Sequence, residues 1–102
     1  AARNKAMLEG LKEAVKVPLN TARLSLESLK LAKTVADIGN PNSITDVGVG
    51  AHIARTGVIG GIYNVLINLK DIEDVEFNSA MKQECELLRA EADNLIEKIE
   101  EE

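Results

Sequence analysis

The sequence has 102 residues, which is enough for one domain and too few for two of typical size. Hydrophobic residues make up 45% of the chain but aromatic residues only 2%, so the core must consist of aliphatic side chains, as in close-packed helices. The 12 basic and 17 acidic residues give a net charge of -5, and no basic patch alternates with aromatic residues. This balance argues against nucleic acid as a partner.

Cys85 is the single cysteine, so the chain cannot form an internal disulfide, and we interpret it as a small buried hydrophobic residue. The first residues have no signal-peptide pattern, and together with the free thiol they predict the reducing cytoplasm. The same residues are typical of a helix interior without a cap. We therefore expect the chain to be part of a longer protein.

The first predicted helix runs from Met7 to Ile38. Apolar residues recur at intervals of three and four, with charged residues between them, which is the pattern of an amphipathic helix. Pro18 removes one backbone hydrogen bond inside this segment, so we expect a kink at Pro18 or a brief break near Val17. Gly39-Asn40-Pro41 ends the helix, because glycine favours a left-handed C-cap and the residue before proline avoids helical conformation.

The second predicted helix begins after Ser43, continues to about Lys70 and is apolar on most of its circumference. The side chain of Ser43 can cap backbone amides, and Asp46, three residues later, suits the positive end of the helix dipole. Two other helices of this chain cannot cover so apolar a helix. We therefore expect a homodimer or a higher homo-oligomer.

A third predicted helix, from about Asp74 to Glu100, has an apolar seam of coiled-coil type. The seam residues alternate at intervals of four and three: Phe77, Met81, Cys85, Leu88, Ala92, Leu95 and Ile99. The sequence thus predicts an all-α fold, an elongated bundle of about three long helices that forms part of a larger helical domain.

One face of the second helix carries glycine, amide and carboxylate groups. At about 100° per residue, Asp46 and Asn64 point in nearly the same direction, and five further residues lie within about 40° of that line. These residues are Gly50, Gly57, Gly60, Asn68 and Asp71. A face without bulky side chains lets a flat ligand or another backbone come close, while the polar groups offer hydrogen bonds.

Simpler interpretations of this face stay open. The glycines can form a notch for helix packing, Asp46 can be the acid of a capping box, and the two asparagines can satisfy neighbouring backbone. Gly57-x-x-x-Gly61 within an apolar stretch is also a dimerisation pattern of transmembrane helices. A membrane location is disfavoured because four polar residues, His52 and Arg55 among them, would then lie in lipid.

Three motifs make the sequence recognisable: AVKVPL at 14–19, GNPNSITDVGV at 39–49 and NVLINLK at 64–70. In order and spacing they resemble the formiminotransferase-cyclodeaminase family, which contains formimidoyltetrahydrofolate cyclodeaminases and methenyltetrahydrofolate cyclohydrolases. The resemblance covers residues 8–77 and corresponds to the later half of the family's domain. The chain is then either a single all-helical domain over residues 1–102 or the C-terminal fragment of a cyclodeaminase-like domain.

The resemblance implies a folate-dependent enzyme of one-carbon metabolism, with a tetrahydrofolate-type small molecule as substrate and no separate cofactor. The reaction is either cyclodeamination, in which a folate nitrogen attacks the formimino carbon and ammonia leaves, or hydrolysis of the methenyl group. Both reactions need a proton acceptor, a proton donor and an oriented substrate. Asp46 is the candidate catalytic group, because it is the carboxylate of this face that matches the family motif.

The candidate substrate-binding residues are Asn42, Ser43, Gly50, Gly57, Asn64 and Asn68. His52 projects away from them beside Arg55, so we interpret it as a surface histidine. One histidine and one cysteine far apart in the sequence predict no metal site. Two other function classes stay open: a helical interaction module without catalysis, and a folate-binding relative that has lost its activity.

Overall fold

A computed structural model describes residues 2–39, 41 and 43–101. Within these residues the chain forms three helices and no strand: α1 (Ala2–Ile38), α2 (Ile44–Leu69) and α3 (Val75–Glu100). The molecule is elongated, with extents of 61 × 17 × 16 Å. The predicted all-α fold is confirmed, and the two turns between helices lie where the sequence places them.

α1 already includes Ala2 and the residues after it, as the helix-interior pattern of the first residues predicts. It continues through Pro18 without interruption, so the predicted break near Val17 is wrong. Val15 and Leu19, on either side of Pro18, are almost completely buried, and their packing offsets the hydrogen bond that the proline ring removes. The helix ends at Gly39, whose φ of 78° is the left-handed conformation expected of a C-cap glycine.

The core is aliphatic and runs along the inner side of all three helices. Its largest fully buried side chains are Leu19, Leu29, Val15, Val58 and Val65. The predicted seam of α3 faces this core: Cys85, Ala92 and Ile99 are buried, and its other four residues are half-buried. The seam prediction is therefore confirmed.

α1 and α2 approach closely where α2 has glycines. A β-carbon on Gly61 would lie 2.6 Å from the carbonyl oxygen of Pro18, and one on Gly57 would lie 3.0 Å from the β-carbon of Ser25. The two backbones can approach this far only because both residues have no side chain. The helix-packing interpretation therefore holds for these two glycines.

α3 is joined to the other helices by charged pairs along the edges of the bundle. The described pairs are Lys12–Asp74, Arg23–Glu84 and Lys30–Glu91 between α1 and α3, and Arg55–Asp93 and His52–Glu100 between α2 and α3. Exposed pairs of this kind contribute little stability individually. They do show which sides of α1 and α2 face α3.

The turn between α2 and α3 is held by Asp74 and Asn78. Asp74 is the N-cap of α3, and its carboxylate accepts a hydrogen bond from the backbone N–H of Phe77 at 3.0 Å. Nδ2 of Asn78 donates to the carbonyl of Ile72 at 2.8 Å. The ammonium of Lys12, 2.6 Å from Oδ2, and the Phe77 amide together hold the pKa of Asp74 below its usual value.

Candidate functional site

The polar stripe of α2, which we define as Asp46, Gly50, Gly57, Gly60, Asn64 and Asn68, lies on the side of the helix away from α3. Asp46, Gly50, Asn64 and Asn68 are exposed. Arg55 points about half a turn away from this line and contacts Asp93 of α3 at 2.7 Å. His52 likewise projects off the stripe as predicted, and its Nε2 lies 2.6 Å from Oε1 of Glu100.

The stripe is long, and its exposed polar side chains form two groups. Asp46 lies in the first turn of α2, near Ser43, whereas Asn64 and Asn68 lie near the end of the helix. At about 1.5 Å per residue, Asp46 and Asn64 are separated by about 27 Å along the axis. One reacting centre cannot contact both side chains of the same chain. The shared direction predicted from the sequence therefore does not by itself bring them together.

Gly57, between the two groups, is half-buried, and Ser25 of α1 covers the position of its missing side chain. The glycines on either side differ. Among the described residues, no side chain and no other helix comes within 4 Å of a β-carbon placed on Gly50 or Gly60. The accessible parts of the stripe are therefore its two ends. Substrate binding by Gly57 remains a prediction, and α1 already contacts this residue.

Asp46 has an exposed side chain in the first turn of α2. Ser43 is the N-cap, with φ -103° and ψ -8°, but its side chain makes no capping hydrogen bond, so the predicted side-chain cap is wrong. Within the described part of the chain, no hydrogen bond or ion pair occupies the Asp46 carboxylate either. Both oxygens are left for a ligand or for water. Asn42, also predicted to bind substrate, lies outside the described residues.

The side chains of the two asparagines at the far end of the stripe, Asn64 and Asn68, differ in their hydrogen bonding. Nδ2 of Asn68 donates to the backbone carbonyl of Asn64 at 2.8 Å. The interpretation that the asparagines satisfy neighbouring backbone groups is therefore confirmed for one N–H of Asn68. This hydrogen bond fixes the amide plane on the helix surface. The remaining donor and acceptor of Asn68, and the amide of Asn64, can pair with the edge of a heterocycle.

A groove of about 300 Å³ between α2 and α3 lies on the other side of α2 from the stripe. It is lined by Ile62, Leu66, Lys82, Cys85, Glu86 and Arg89, none of which the sequence singled out as a binding residue. Burial raises the pKa of the Cys85 thiol, and the nearby Glu84 carboxylate adds to this. The thiol is 2% exposed and protonated at neutral pH, which makes it a poor nucleophile.

Across residues 2–39, 41 and 43–101, no three histidine, cysteine, aspartate or glutamate side chains are placed to hold a metal ion together. In that same part of the chain, none of the helices has a segment long and apolar enough to cross a bilayer.

The geometry describes an all-helical protein with an open polar stripe, and comparison with known proteins gives its family. The sequence model of the formiminotransferase-cyclodeaminase family matches residues 1–87. The chain belongs to this family. The resemblance carried by the three sequence motifs is therefore confirmed.

Individual relatives match most of this chain. It is 41% identical over 101 residues to methenyltetrahydrofolate cyclohydrolase of Methylorubrum extorquens, which covers 99% of this chain and 49% of that protein. It is 38% identical over 87 residues to formimidoyltransferase-cyclodeaminase of Rattus norvegicus, covering 85% of this chain and 16% of the relative. It is 31% identical over 97 residues to formimidoyltransferase-cyclodeaminase of Dictyostelium discoideum, covering 95% of this chain and 18% of that protein. The chain thus spans about half the length of the cyclohydrolase relative and a smaller part of the other two.

Proposed function

We propose that the chain contributes to a folate-processing site and that its reaction is the hydrolysis of methenyltetrahydrofolate. The observation that supports this most is the carboxylate of Asp46 on the open stripe, in the motif that resembles the family; among the described residues it has no hydrogen-bond or ion-pair partner. The match to the cyclohydrolase relative extends over 101 residues, through α3, whereas the match to the rat cyclodeaminase covers 87 residues. Cyclodeamination is the second candidate, because the family and several relatives carry that name.

The proposed hydrolysis needs one group that takes up a proton. The oxygen of a water molecule bonds to the methenyl carbon, and that water loses a proton as the bond forms. The hydroxyl proton then passes to the departing folate nitrogen as the carbon–nitrogen bond breaks, and a formyl group stays on the other nitrogen. Asp46 is the proposed proton acceptor, since a carboxylate within reach of a bound water acts as a general base.

The charge of Asp46 suits this substrate in a second way. The methenyl bridge is positively charged, so a carboxylate beside it stabilises the bound substrate and orients it. Gly50, one turn further along α2, leaves room beside the carboxylate for a flat ring. The Ser43 hydroxyl, free of a capping hydrogen bond, is a donor and acceptor at the same end.

We also propose that the chain acts as a homodimer or higher homo-oligomer in the cytoplasm. Four large side chains of α2 support this, because more than half of each is exposed: Val49 57%, Ile53 67%, Tyr63 59% and Ile67 54%. An apolar surface of this kind is typical of a protein–protein contact.

Calorimetric titration with 5-formyltetrahydrofolate, a stable reduced folate, tests the proposed ligand class. We expect the wild-type chain to bind and Gly50→Leu to lose binding, because leucine fills the space beside Asp46. Gly48→Leu is the matched control: it carries the same helix change two residues away, on the other side of α2, and should bind like wild type. Absence of binding to the wild-type chain, or equal binding by both variants, contradicts the proposal.

A further inference from the structure

Distal α3, which we define as residues 88–101, lies beyond the part of the chain that the family model matches. The match ends at residue 87, within α3. Three of the described pairs between helices involve distal α3: Lys30–Glu91 at 3.4 Å, Arg55–Asp93 at 2.7 Å and His52–Glu100 at 2.6 Å. In each pair the carboxylate belongs to α3 and the nitrogen to α1 or α2. Distal α3 is therefore fastened to both other helices through its acidic side chains.

Charge is unevenly divided along the chain. Residues 1–69 contain eight basic and five acidic residues, a net charge of +3, whereas residues 70–102 contain four basic and 12 acidic residues, a net charge of -8. Between about 0.1 M and 1 M salt, the distance over which charges act falls from about 10 Å to about 3 Å. Salt therefore weakens the attraction between α3 and the two helices on which it packs.

Distal α3 lies beside the Asp46 end of α2, because the two helices are antiparallel. Arg55 of α2 pairs with Asp93 of α3. His52, earlier in α2, pairs with Glu100, later in α3. Asp46 precedes His52 by six residues and Arg55 by nine, which corresponds to about 9 Å and about 14 Å along the helix axis. The pairs thus hold α2 within about three turns of Asp46.

The core contains small side chains at this end of the bundle. Besides Leu29 and Ile99, its buried residues include one alanine from each helix: Ala36, Ala51 and Ala92. The other end of the bundle buries larger side chains completely or almost completely: Val15, Leu19 and Val65. Alanine buries less apolar area than leucine or valine and so contributes less hydrophobic stabilisation. The charged pairs of distal α3 therefore contribute a larger share of the attachment at the Asp46 end.

The remaining contacts of distal α3 are partial. Leu88, Leu95 and Ile96 are only half-buried, and every exposed residue of distal α3 except Ala90 is polar or charged. Its outer side therefore suits contact with water and adds no apolar attachment. Distal α3 depends on its inner side alone, where the apolar contacts lie between two rows of charged pairs.

The start of α3 is held in ways that do not depend on these pairs. Asp74 caps the helix by accepting a hydrogen bond from the backbone N–H of Phe77, and Nδ2 of Asn78 donates to the carbonyl of Ile72, a residue that is 3% exposed. These hydrogen bonds lie within the turn and the first residues of the helix. Loosening of α3 therefore begins at its distal half.

We propose that distal α3 is an electrostatic strap that positions the Asp46 end of α2, and that rising ionic strength loosens it. Arg55 and His52 are positioning residues: they point away from the polar stripe and hold α2 through Asp93 and Glu100. When salt screens these pairs, the first turns of α2 open more often and the direction of the Asp46 carboxylate is no longer fixed. The strap itself stands on the contacts between helices, whereas its effect on a ligand rests on the proposed function.

Amide hydrogen exchange followed by NMR tests the strap without any ligand. Between about 0.05 M and about 1 M NaCl, we expect the protection of amides 48–54 to fall by about tenfold. Amides 62–68, which lie beside the start of α3, are the internal reference and should keep their protection. Protection that does not depend on salt at residues 48–54, or an equal loss at both segments, overturns the proposal.

Two double variants separate the pairs from the net charge of α3. Asp93→Asn/Glu100→Gln should show the lower protection at both salt concentrations, because the pairs are already broken. Glu86→Gln/Glu97→Gln removes the same number of charges from α3, at exposed carboxylates with no described ion pair, and should respond to salt like wild type. Equal behaviour of the two double variants contradicts the role of the pairs.

A charge swap tests whether Arg55 and Asp93 act through each other. Arg55→Glu and Asp93→Arg each place like charges together, so each should lower the protection of amides 48–54. The double variant Arg55→Glu/Asp93→Arg restores an opposite pair and should return the protection to within about twofold of wild type. Loss of packing alone predicts no such rescue, since both side chains have then changed. A double variant that exchanges as fast as the single variants overturns the proposal.

Titration with 5-formyltetrahydrofolate tests the effect on the site. At about 0.05 M NaCl, Asp93→Asn/Glu100→Gln should bind about tenfold more weakly than wild type, and Glu86→Gln/Glu97→Gln should bind like wild type. At about 1 M NaCl the difference should disappear, because the strap of wild type is then loosened as well. Equal binding by all three proteins at low salt overturns the positioning of Asp46. Absence of binding by wild type contradicts the proposed function instead, and the exchange results then decide the strap.

Discussion

The α-carbon of Gly61 lies so close to α1 that a β-carbon on it would be 2.6 Å from the carbonyl oxygen of Pro18. Backbone cannot move aside as a flexible side chain can. We therefore expect Gly61→Ala to force α1 and α2 apart and to lower the free energy of unfolding by about 1 to 3 kcal/mol, despite the better helix propensity of alanine. Urea denaturation followed by circular dichroism measures this.

Gly48→Ala is the control for this prediction, because Gly48 has no described neighbour within 4 Å of the added carbon. Without a clash, only the helix propensity changes, and stability should rise by up to about 1 kcal/mol. Equal effects of the two substitutions would mean that the contact between Gly61 and Pro18 does not limit how closely the helices pack.

Asp46→Asn separates a catalytic role from a structural one. In the protein that carries the complete activity, we expect hydrolysis of methenyltetrahydrofolate to fall by about 10²-fold or more, because the amide cannot accept the proton. The melting temperature should change little, since the Asp46 carboxylate makes no capping hydrogen bond among the described residues. Glu9→Gln, an exposed carboxylate on α1, is the control. Unchanged turnover with a lower melting temperature would end the catalytic assignment.

Asp74 should make stability depend on acid pH. Its pKa in the folded chain is lowered, first by the hydrogen bond with Lys12 and then by the Phe77 amide, below the ordinary value of about 3.9. Its contribution is therefore present above about pH 4 and is lost as the pH falls through the lower, folded pKa. Asp74→Ala should lower stability at pH 7 and flatten the acid limb of the unfolding profile, whereas Asp71→Ala, an exposed carboxylate in the same turn, should do neither.

Cys85 should be unreactive in the folded protein. Burial raises the pKa of the thiol, so its contribution to stability is present below the unfolded value of about 8.5 and is lost as the pH rises above it. We expect iodoacetamide to label Cys85 slowly at pH 7.5 and rapidly in urea. Ser79→Cys in a Cys85→Ala background, an exposed thiol on the same helix, should label rapidly in both conditions. Rapid labelling of native Cys85 would contradict the buried environment.

Activity in the complete protein should survive metal chelation. His52 lies at the surface with Glu100, while Cys85 is in the core, so these two metal-binding residue types do not converge in the described structure. We expect the same turnover before and after treatment with EDTA. Loss of activity that added zinc restores would contradict this.

The sequence by itself determined the three helices, the turns between them, the inward face of α3 and the outward direction of His52. These features follow from the 3.6-residue period and from local signals such as Gly39 and Pro41, which act within a few residues of the chain. The family was also predictable, because its motifs are continuous stretches of sequence.

Only the tertiary structure decided which glycines of α2 are covered by α1. Gly57 and Gly61 pack on α1 while Gly50 and Gly60 remain open, and the sequence gives all four the same residue type. Pro18 stays within a continuous helix because its flanking residues are buried, a contribution that local propensity does not include. Which glycine is covered and which proline is tolerated depend on how α2 lies against α1, and that alignment is set by contacts between residues far apart in the chain.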